Sequence, residues 1–195
     1  GGKYVYEKTL EVAPEDIGKS IVIHFEGVYQ NCSVVLNGKE VGSHKYGYTA
    51  FDVDISDVVR SGSNTLTVRV DNSLEPNCRW YSGSGIYRPV QLLIRDRVHI
   101  ETVHIETLSY DPAAIKVDVT TTAHTPVTVE LYDGGVQIAS GKPGEIPLPG
   151  AKLWSAENPR LYSCVVKTEK DERRISFGVR KLEWSAKAGL LVNGQ

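Results

Sequence analysis

Thr65-Leu66-Thr67-Val68-Arg69-Val70 alternates polar and apolar residues without a break. Successive side chains of an extended chain point to opposite faces, so Leu66, Val68 and Val70 line one side and Thr65, Thr67 and Arg69 the other. That is the pattern of a strand with one face on a core and one toward water. The same period recurs upstream, where Ile21, Ile23 and Phe25 alternate with Val22, His24 and Glu26, and Phe51, Val53 and Ile55 with Asp52 and Asp54. Downstream it returns at Val90, Leu92 and Ile94, at Ile115, Val117 and Val119, at Val127, Val129 and Leu131, and at Ile175, Phe177 and Val179.

Turn chemistry sits between these runs. Asn37-Gly38 lies between Val34-Val35-Leu36 and Val41, and both residues tolerate the positive φ that a tight hairpin requires. Asp133-Gly134-Gly135 plays the same part after Leu131-Tyr132. One helix-like segment is expected, a short turn from Ser56 to Arg60 with Ser56 as its cap. Gly141 to Gly150 carries three prolines and three glycines and reads as a loop. Short strands at spacings of roughly 8–12 residues indicate antiparallel sandwiches, so the fold class is all-β. A charged break at Arg95-Asp96-Arg97 divides the chain, and length and alternation alone give an immunoglobulin-like module in the second half, without an internal disulfide.

The chain has 195 residues, 41% hydrophobic and 24% charged, with a net charge of -2. These fractions suit a globular protein with a full core. Interspersed charges near neutrality argue against a nucleic-acid or anionic-membrane partner. No apolar run approaches the roughly 18–20 residues of a membrane helix. Cys32, Cys78 and Cys164 lie too far apart, and are too few, for a disulfide framework. Methionine is absent, start residue included, so the sequence is expected to be an excised piece of a longer protein.

Most candidate chemistries fail on spacing. The five histidines include no metal-binding spacing, and His99 and His104, five residues apart, fall on opposite faces of a strand. No metal site and no cofactor is expected. His24 reads as an ordinary cross-strand contact. Asp52 and Asp54 share a face about 7 Å apart, a separation compatible with glycosidase carboxylates, but nothing there desolvates either group to make it an acid. Both therefore read as solvent-facing. Ser82-Gly83-Ser84-Gly85 opens no helix and forms neither a nucleophile elbow nor a phosphate cradle.

Pro76-Asn77-Cys78-Arg79-Trp80-Tyr81 is different, because it crowds tryptophan, tyrosine and arginine between two strands. Aromatic faces stack on the C–H faces of sugars, and Arg and Asn supply fixed donors. The alternative is that Trp80 and Tyr87 plug the end of the sandwich while Arg88 pairs with a buried acid. The residues leave Trp80 open between these roles and favour the structural one for Tyr87 and Arg88.

At this loop the chain resembles glycoside hydrolase family 2, the group of β-galactosidases, β-glucuronidases and β-mannosidases. Phe25-Glu26-Gly27-Val28, Val35-Leu36-Asn37-Gly38-Lys39 and Tyr48-Thr49-Ala50-Phe51-Asp52-Val53-Asp54-Ile55-Ser56-Asp57 are similar to its opening jelly-roll (galactose-binding-like) β-sandwich. Arg79-Trp80-Tyr81-Ser82-Gly83-Ser84-Gly85-Ile86-Tyr87-Arg88-Pro89-Val90 is similar to the segment that closes that domain. Leu153-Trp154-Ser155-Ala156-Glu157-Asn158-Pro159-Arg160-Leu161-Tyr162 and Phe177-Gly178-Val179-Arg180 resemble the family's immunoglobulin-like domain. Gly189-Leu190-Leu191-Val192-Asn193-Gly194-Gln195 resembles the hairpin that enters its catalytic barrel.

The resemblance implies a jelly-roll sugar-binding domain over 1–96, cut at its N-terminus, an immunoglobulin-like β-sandwich over 97–184, and the start of a truncated catalytic barrel at 185–195. It implies a parent that hydrolyses β-glycosides with retention through two barrel glutamates about 5–5.5 Å apart, neither in this chain, so the piece alone is expected to be inactive. It also implies that Asn77, Arg79, Trp80 and Tyr81 contact the sugar. The partners implied are a carbohydrate substrate and the chain's own barrel, with homo-oligomerisation and a periplasmic or secreted location compatible with the parent. β-Galactosidases carry an aspartate two residues before the tryptophan of this loop. Cys78 stands there, supplying neither charge nor acceptors, and the loop is one residue longer; a β-galactosidase-like subtype is nevertheless the expected one. The other class of reading is a free-standing carbohydrate-binding or adhesion module.

Overall fold

The computed structural model describes residues 1–74 and 80–195. These divide into two compact units, Gly1–Arg97 and Val98–Gln195, both built of antiparallel strands. Among the described residues no helix is long and apolar enough to cross a membrane.

In the first unit β1 (Lys3–Val12), β7 (Gly62–Asp71), β4 (Asn31–Leu36) and β5 (Lys39–His44) form one sheet, in that spatial order. A second sheet orders β6 (Phe51–Asp54), β2 (Ser20–Phe25) and β9 (Val90–Arg95), and β3 (Val28–Tyr29) pairs with β8 (Gly85–Ile86). The alternation places the core as expected: Ile21, Ile23 and Phe25 of one sheet and Val34, Leu36, Leu66, Val68 and Val70 of the other are buried in a single cluster. Burying one such side chain is worth about 1.5–3 kcal/mol, so this jelly-roll sandwich rests mainly on its two inner faces. Val90, expected on the core face, is instead 40% exposed. Its strand is the sheet's outer edge, where one flank has no neighbouring strand to cover it. Beside it, between the edges formed by β1 and β9, opens a cleft of about 250 Å³ lined by Tyr6, Leu10, Phe25, Leu66, Ile86 and Leu92 among others.

The β4–β5 hairpin turns through Asn37 and Gly38 with φ of 51° and 84°, both left-handed as the two-residue turn demands. Its asparagine also reaches across the sheet. Asn37 Nδ2 donates to Asn64 Oδ1 at 2.8 Å, and Asn37 Oδ1 accepts from the Thr65 amide at 3.0 Å. Asn64, only 1% exposed, accepts from the Arg60 amide at 2.9 Å and donates to the Arg60 and Gly62 carbonyls at 2.7 and 3.0 Å. One buried amide thus fastens two turns. The segment after β6 makes the single short turn expected of it, the Val58 and Val59 amides both donating to the Ile55 carbonyl. Asp54, not Ser56, is its cap: Asp54 Oδ1 accepts from the Ser56 amide at 2.8 Å, while Ser56 Oγ accepts from the Ile21 amide at 2.9 Å and ties the turn to β2. A one-turn 3₁₀ helix at Pro14–Asp16 was not expected from the sequence.

The second unit places β10 (Ile100–Tyr110), β11 (Ala113–Thr121) and β14 (Gly144–Pro147) in one sheet. The other orders β13 (Val136–Gly141), β12 (Thr128–Asp133), β15 (Tyr162–Lys167) and β16 (Glu172–Phe177). Ile115, Val117, Val129, Leu131, Cys164 and Val166 are buried together, the core of an immunoglobulin-like sandwich. The expected loop from Gly141 to Gly150 contains β14, which pairs with β11 at the sheet edge. Proline is tolerated there because an edge strand leaves one row of backbone groups unpaired.

The Trp154 region is a clasp. Tyr162 Oη accepts from the Lys152 amide at 2.7 Å, and a Cβ on Gly178 would stand 2.8 Å from Trp154 Cβ. The Arg180 guanidinium lies 4.5 Å from the centre of the Trp154 ring, close enough for a cation–π contact. The hairpin of β17 (Leu182–Ser185) and β18 (Gly189–Val192) hangs on this clasp through Asn193, whose Nδ2 donates to the Trp154 carbonyl at 3.0 Å. Register pairs Leu182 with Val192 and Trp184 with Leu190, which puts all four on one face; Leu182, Trp184 and Leu190 are 54%, 77% and 54% exposed.

Burial makes two of the cysteines inert. Cys32 and Cys164 are buried free thiols, and burial raises both above the ordinary thiol range, Cys164 to about 11. Since only the thiolate is nucleophilic, both are expected to resist a thiol reagent at pH 8 in the native protein and to react after denaturation. Counting labelled cysteines by mass before and after denaturant, with the labelled peptides identified, checks this. Labelling of Cys164 in the folded chain would contradict the packing.

Candidate functional site

A cluster of aromatic side chains crowds one part of the first unit. The loop from β5 to β6 carries Tyr46, Gly47 and Tyr48, and the segment leading into β8 carries Trp80 and Tyr81. Tyr46, Tyr48 and Trp80 are 56%, 44% and 60% exposed and Tyr81 fully so. Three of them are connected: Trp80 Nε1 donates to Tyr48 Oη at 3.0 Å. The Tyr48 ring meets Tyr46 edge-on at 5.8 Å and the buried Tyr29 edge-on at 5.3 Å. Such geometry places the positive ring edge against the negative face and holds the rings in fixed relative tilt.

The loop beneath them is clamped at glycine. A Cβ on Gly47 would lie 2.0 Å from Tyr29 Cδ2, so the backbone passes flat against that ring. The Gly47 carbonyl accepts from Tyr87 Oη at 2.6 Å. The Tyr87 ring in turn packs on Gly27, where a Cβ would come within 2.8 Å of it. Next to the loop, His44 stacks on Phe51 at 4.3 Å and Phe51 on Phe25 at 4.8 Å, which carries the aromatic contacts down into the core. Asn72 Nδ2, just past β7, donates to Ser84 Oγ, just before β8, at 2.7 Å.

Gly85 is equally constrained. It has φ of 81° and a Cβ there would sit 1.9 Å from Tyr6 Oη. Gly85 therefore serves close packing and backbone conformation, whereas a Cβ on Gly83 would meet only Tyr87 Cβ at 3.7 Å, an ordinary contact.

Of the four residues expected to touch a ligand, Trp80 belongs to the exposed cluster and Tyr81, next to it in the chain, is fully exposed, whereas Asn77 and Arg79 fall outside the described residues, as does Cys78. Trp80 at 60% exposure does not plug the core. Tyr87 does have a structural role, the clamp on Gly47. The Arg88 guanidinium lies 5.5 Å from the centre of the Tyr87 ring, in place of the expected pairing with a buried acid. Tyr46 and Tyr48 were not singled out from the sequence. The bond from Trp80 to Tyr48 spans 32 positions, Tyr46 enters through its contact with Tyr48, and no local pattern signals either.

The other candidates behave as framework. Asp52 Oδ1 and His24 Nδ1 are 2.6 Å apart across β2 and β6, an ordinary cross-strand pair, and Asp54 is the turn cap. His99 is buried at 8% exposure while His104 is exposed. Among the described residues no group of three or more His, Cys, Asp or Glu side chains is placed to hold a metal. The β1–β9 cleft is almost wholly apolar, with only Lys8, Gln91 and Tyr6 to offer a polar group. A sugar stacks its C–H face on exposed aromatic rings, which the cluster offers and the mainly aliphatic cleft does not.

Comparison with known proteins bears on both halves. Residues 1–96 match the model for the glycosyl hydrolases family 2 sugar binding domain, and residues 98–180 match the model for glycosyl hydrolases family 2. The β-galactosidase BoGH2A of Bacteroides ovatus is 32% identical over 100% of this chain and 26% of its own length. A crystal structure of a glycosyl hydrolase family 2 member from Bacteroides cellulosilyticus superimposes with a TM-score of 0.88 at 33% identity, covering 100% of this chain and 31% of the other. A β-glucuronidase from an uncultured Clostridium gives 0.87 at 26% identity, covering 100% and 37%. The chain spans about a quarter of the length of the curated relative BoGH2A and of others it matches.

Proposed function

The chain belongs to glycosyl hydrolase family 2, and we propose that it is the non-catalytic N-terminal part of a retaining, β-galactosidase-like β-glycosidase. In this reading a jelly-roll domain over 1–96 and an immunoglobulin-like domain over 97–184 precede a catalytic barrel that begins at 185–195 and carries the two reacting glutamates. This chain supplies no reacting group. Its part is to present an aromatic surface to the carbohydrate, with Trp80 and Tyr81 as described contacts and Asn77 and Arg79 as polar ones.

The observation that carries the reading is the exposed cluster of Tyr46, Tyr48 and Trp80, held by hydrogen bonding and glycine packing, with the fully exposed Tyr81 next to Trp80 in the chain. Surface tryptophans normally cost water contact, and rings fixed in place offer stacking area at little entropic cost. The long relatives, each several times this chain's length, support a downstream catalytic domain. Cys78 in the position where β-galactosidases hold an aspartate makes the sugar the first thing to test.

The experiment compares nitrophenyl β-galactoside and β-glucuronide as substrates for the parent-length protein, its Trp80→Ala variant and the 195-residue chain alone. The parent is expected to prefer the galactoside, and the short chain to turn over neither. Trp80→Ala is expected to raise KM about tenfold with little change in kcat, because lost stacking of ~1.4 kcal/mol affects binding before chemistry. Turnover by the short chain would overturn the non-catalytic reading, and a glucuronide preference would overturn the subtype. Unchanged kinetics in Trp80→Ala would remove the sugar-contact role.

A further inference from the structure

Trp80 is 60% exposed, yet its indole N–H is not left to water: Nε1 donates to Tyr48 Oη at 3.0 Å. An exposed tryptophan on a loop has two side-chain torsions to vary, and a single directional hydrogen bond at the rim of its ring removes most of that freedom. The acceptor is itself fixed, because the Tyr48 ring rests edge-on against Tyr29, which is 4% exposed. Tyr46 meets the other side of Tyr48 at 5.8 Å. Gly47 between the two tyrosines is pinned by Tyr29 and by the Tyr87 hydroxyl. An order of support therefore runs from the buried Tyr29 to Tyr48 to Trp80.

We propose that Tyr48 is a positioning residue that fixes the plane of Trp80, and that Tyr46, Tyr48 and Trp80 together form an aromatic shelf for one pyranose unit of a carbohydrate ligand. The inference rests on the carbohydrate reading given above and extends it to two residues outside the aromatic-basic loop. Accepting from the indole leaves the Tyr48 O–H able to donate, so the shelf pairs stacking area with one hydroxyl at its centre. That combination suits a sugar, whose C–H face is apolar and whose rim carries hydroxyls.

The test uses a cycle in the parent-length enzyme with Tyr48→Phe, Trp80→Ala and the double variant. Tyr48→Phe keeps the ring and its packing on Tyr29 but cannot accept from the indole. Loss of one neutral hydrogen bond is expected to raise KM about threefold to tenfold with kcat unchanged, and to shift the indole N–H resonance of Trp80, assigned through the Trp80 variant. In the Trp80→Ala background the same change is expected to have a clearly smaller effect, because there is no indole left to orient and only the hydroxyl's own contact with the sugar is lost.

An equal effect of Tyr48→Phe in both backgrounds would overturn the positioning role, and an unmoved indole resonance would overturn the hydrogen bond itself. If Trp80→Ala leaves KM unchanged while Tyr48→Phe still shifts the resonance, the carbohydrate reading and the shelf fail together but the support of Trp80 by Tyr48 stands. Tyr46→Ala separates the shelf from its support: a raised KM with an unmoved indole resonance is expected. An unchanged KM would remove Tyr46 from the shelf.

Discussion

Replacing Gly47 by alanine is expected to lower stability by about 3 kcal/mol, at the upper end of what overpacking costs, and to unseat the exposed aromatic cluster. The added methyl would lie 2.0 Å from Cδ2 and 2.8 Å from Cγ and Cε2 of Tyr29. That ring cannot swing outward cheaply, being 4% exposed and in contact with Tyr48. The loop must move instead, which withdraws the Gly47 carbonyl from Tyr87 Oη. The comparison is Gly141→Ala at the end of β13, where a Cβ meets nothing within 4 Å and φ is not in the left-handed range. There the same methyl is expected to be neutral or slightly stabilising, since it narrows the unfolded ensemble. Urea midpoints of the two variants, followed by far-UV circular dichroism, make the check. Equal midpoints would mean that Gly47 is not packed as described.

Asn64→Ala is the second large effect, expected at about 3–4 kcal/mol. The side chain takes part in four hydrogen bonds, to Asn37, to the Arg60 amide and carbonyl and to the Gly62 carbonyl. A typical bond contributes about 1 kcal/mol net, and partners left buried without replacement cost more. Asn64→Asp is the informative companion. It keeps the two accepting contacts and loses the two donations to carbonyls, while placing a charge at a site that is 1% exposed, which is unfavourable without a cationic partner. Both variants are therefore expected to lower the unfolding midpoint, and thermal unfolding of the pair against the parent chain measures it. A loss below about 1 kcal/mol in Asn64→Ala would show that water replaces the amide.

Where one face of a strand meets the core, the sequence states it plainly. Ile21, Ile23 and Phe25, and Leu66, Val68 and Val70, alternate because burial and exposure alternate, and Asn37-Gly38 marks its hairpin because few residue pairs tolerate two positive φ values. Edges are harder to read. β1 is exposed along nearly all its length, so it has no alternation to detect, and Val90 obeys the pattern while its edge position leaves it partly in water. Sequence alone does not separate Ser56 from Asp54 as the cap, because both residues are competent caps and only the link from Ser56 to β2 decides between them.

The site was half legible. Trp80 and Tyr81 stand out by composition, yet Tyr46 and Tyr48 enter through contacts made across the fold, which a linear reading cannot sum. Residues that looked chemical by type, Asp52, Asp54 and His24, proved to be a cross-strand pair and a cap. Their spacing satisfied the geometry of a catalytic pair, but their exposure did not.

The location of the tryptophans has a consequence for the spectroscopist. Trp80 and Trp184 are both more than half exposed, and Trp154 lies against a guanidinium. Two of the three indoles already sit largely in water in the folded protein, so unfolding changes their surroundings little and intrinsic emission makes a poor gauge of denaturation. The same emission is well placed to report what docks on the surface. In this protein the fluorophores are sentries at the periphery rather than witnesses in the core.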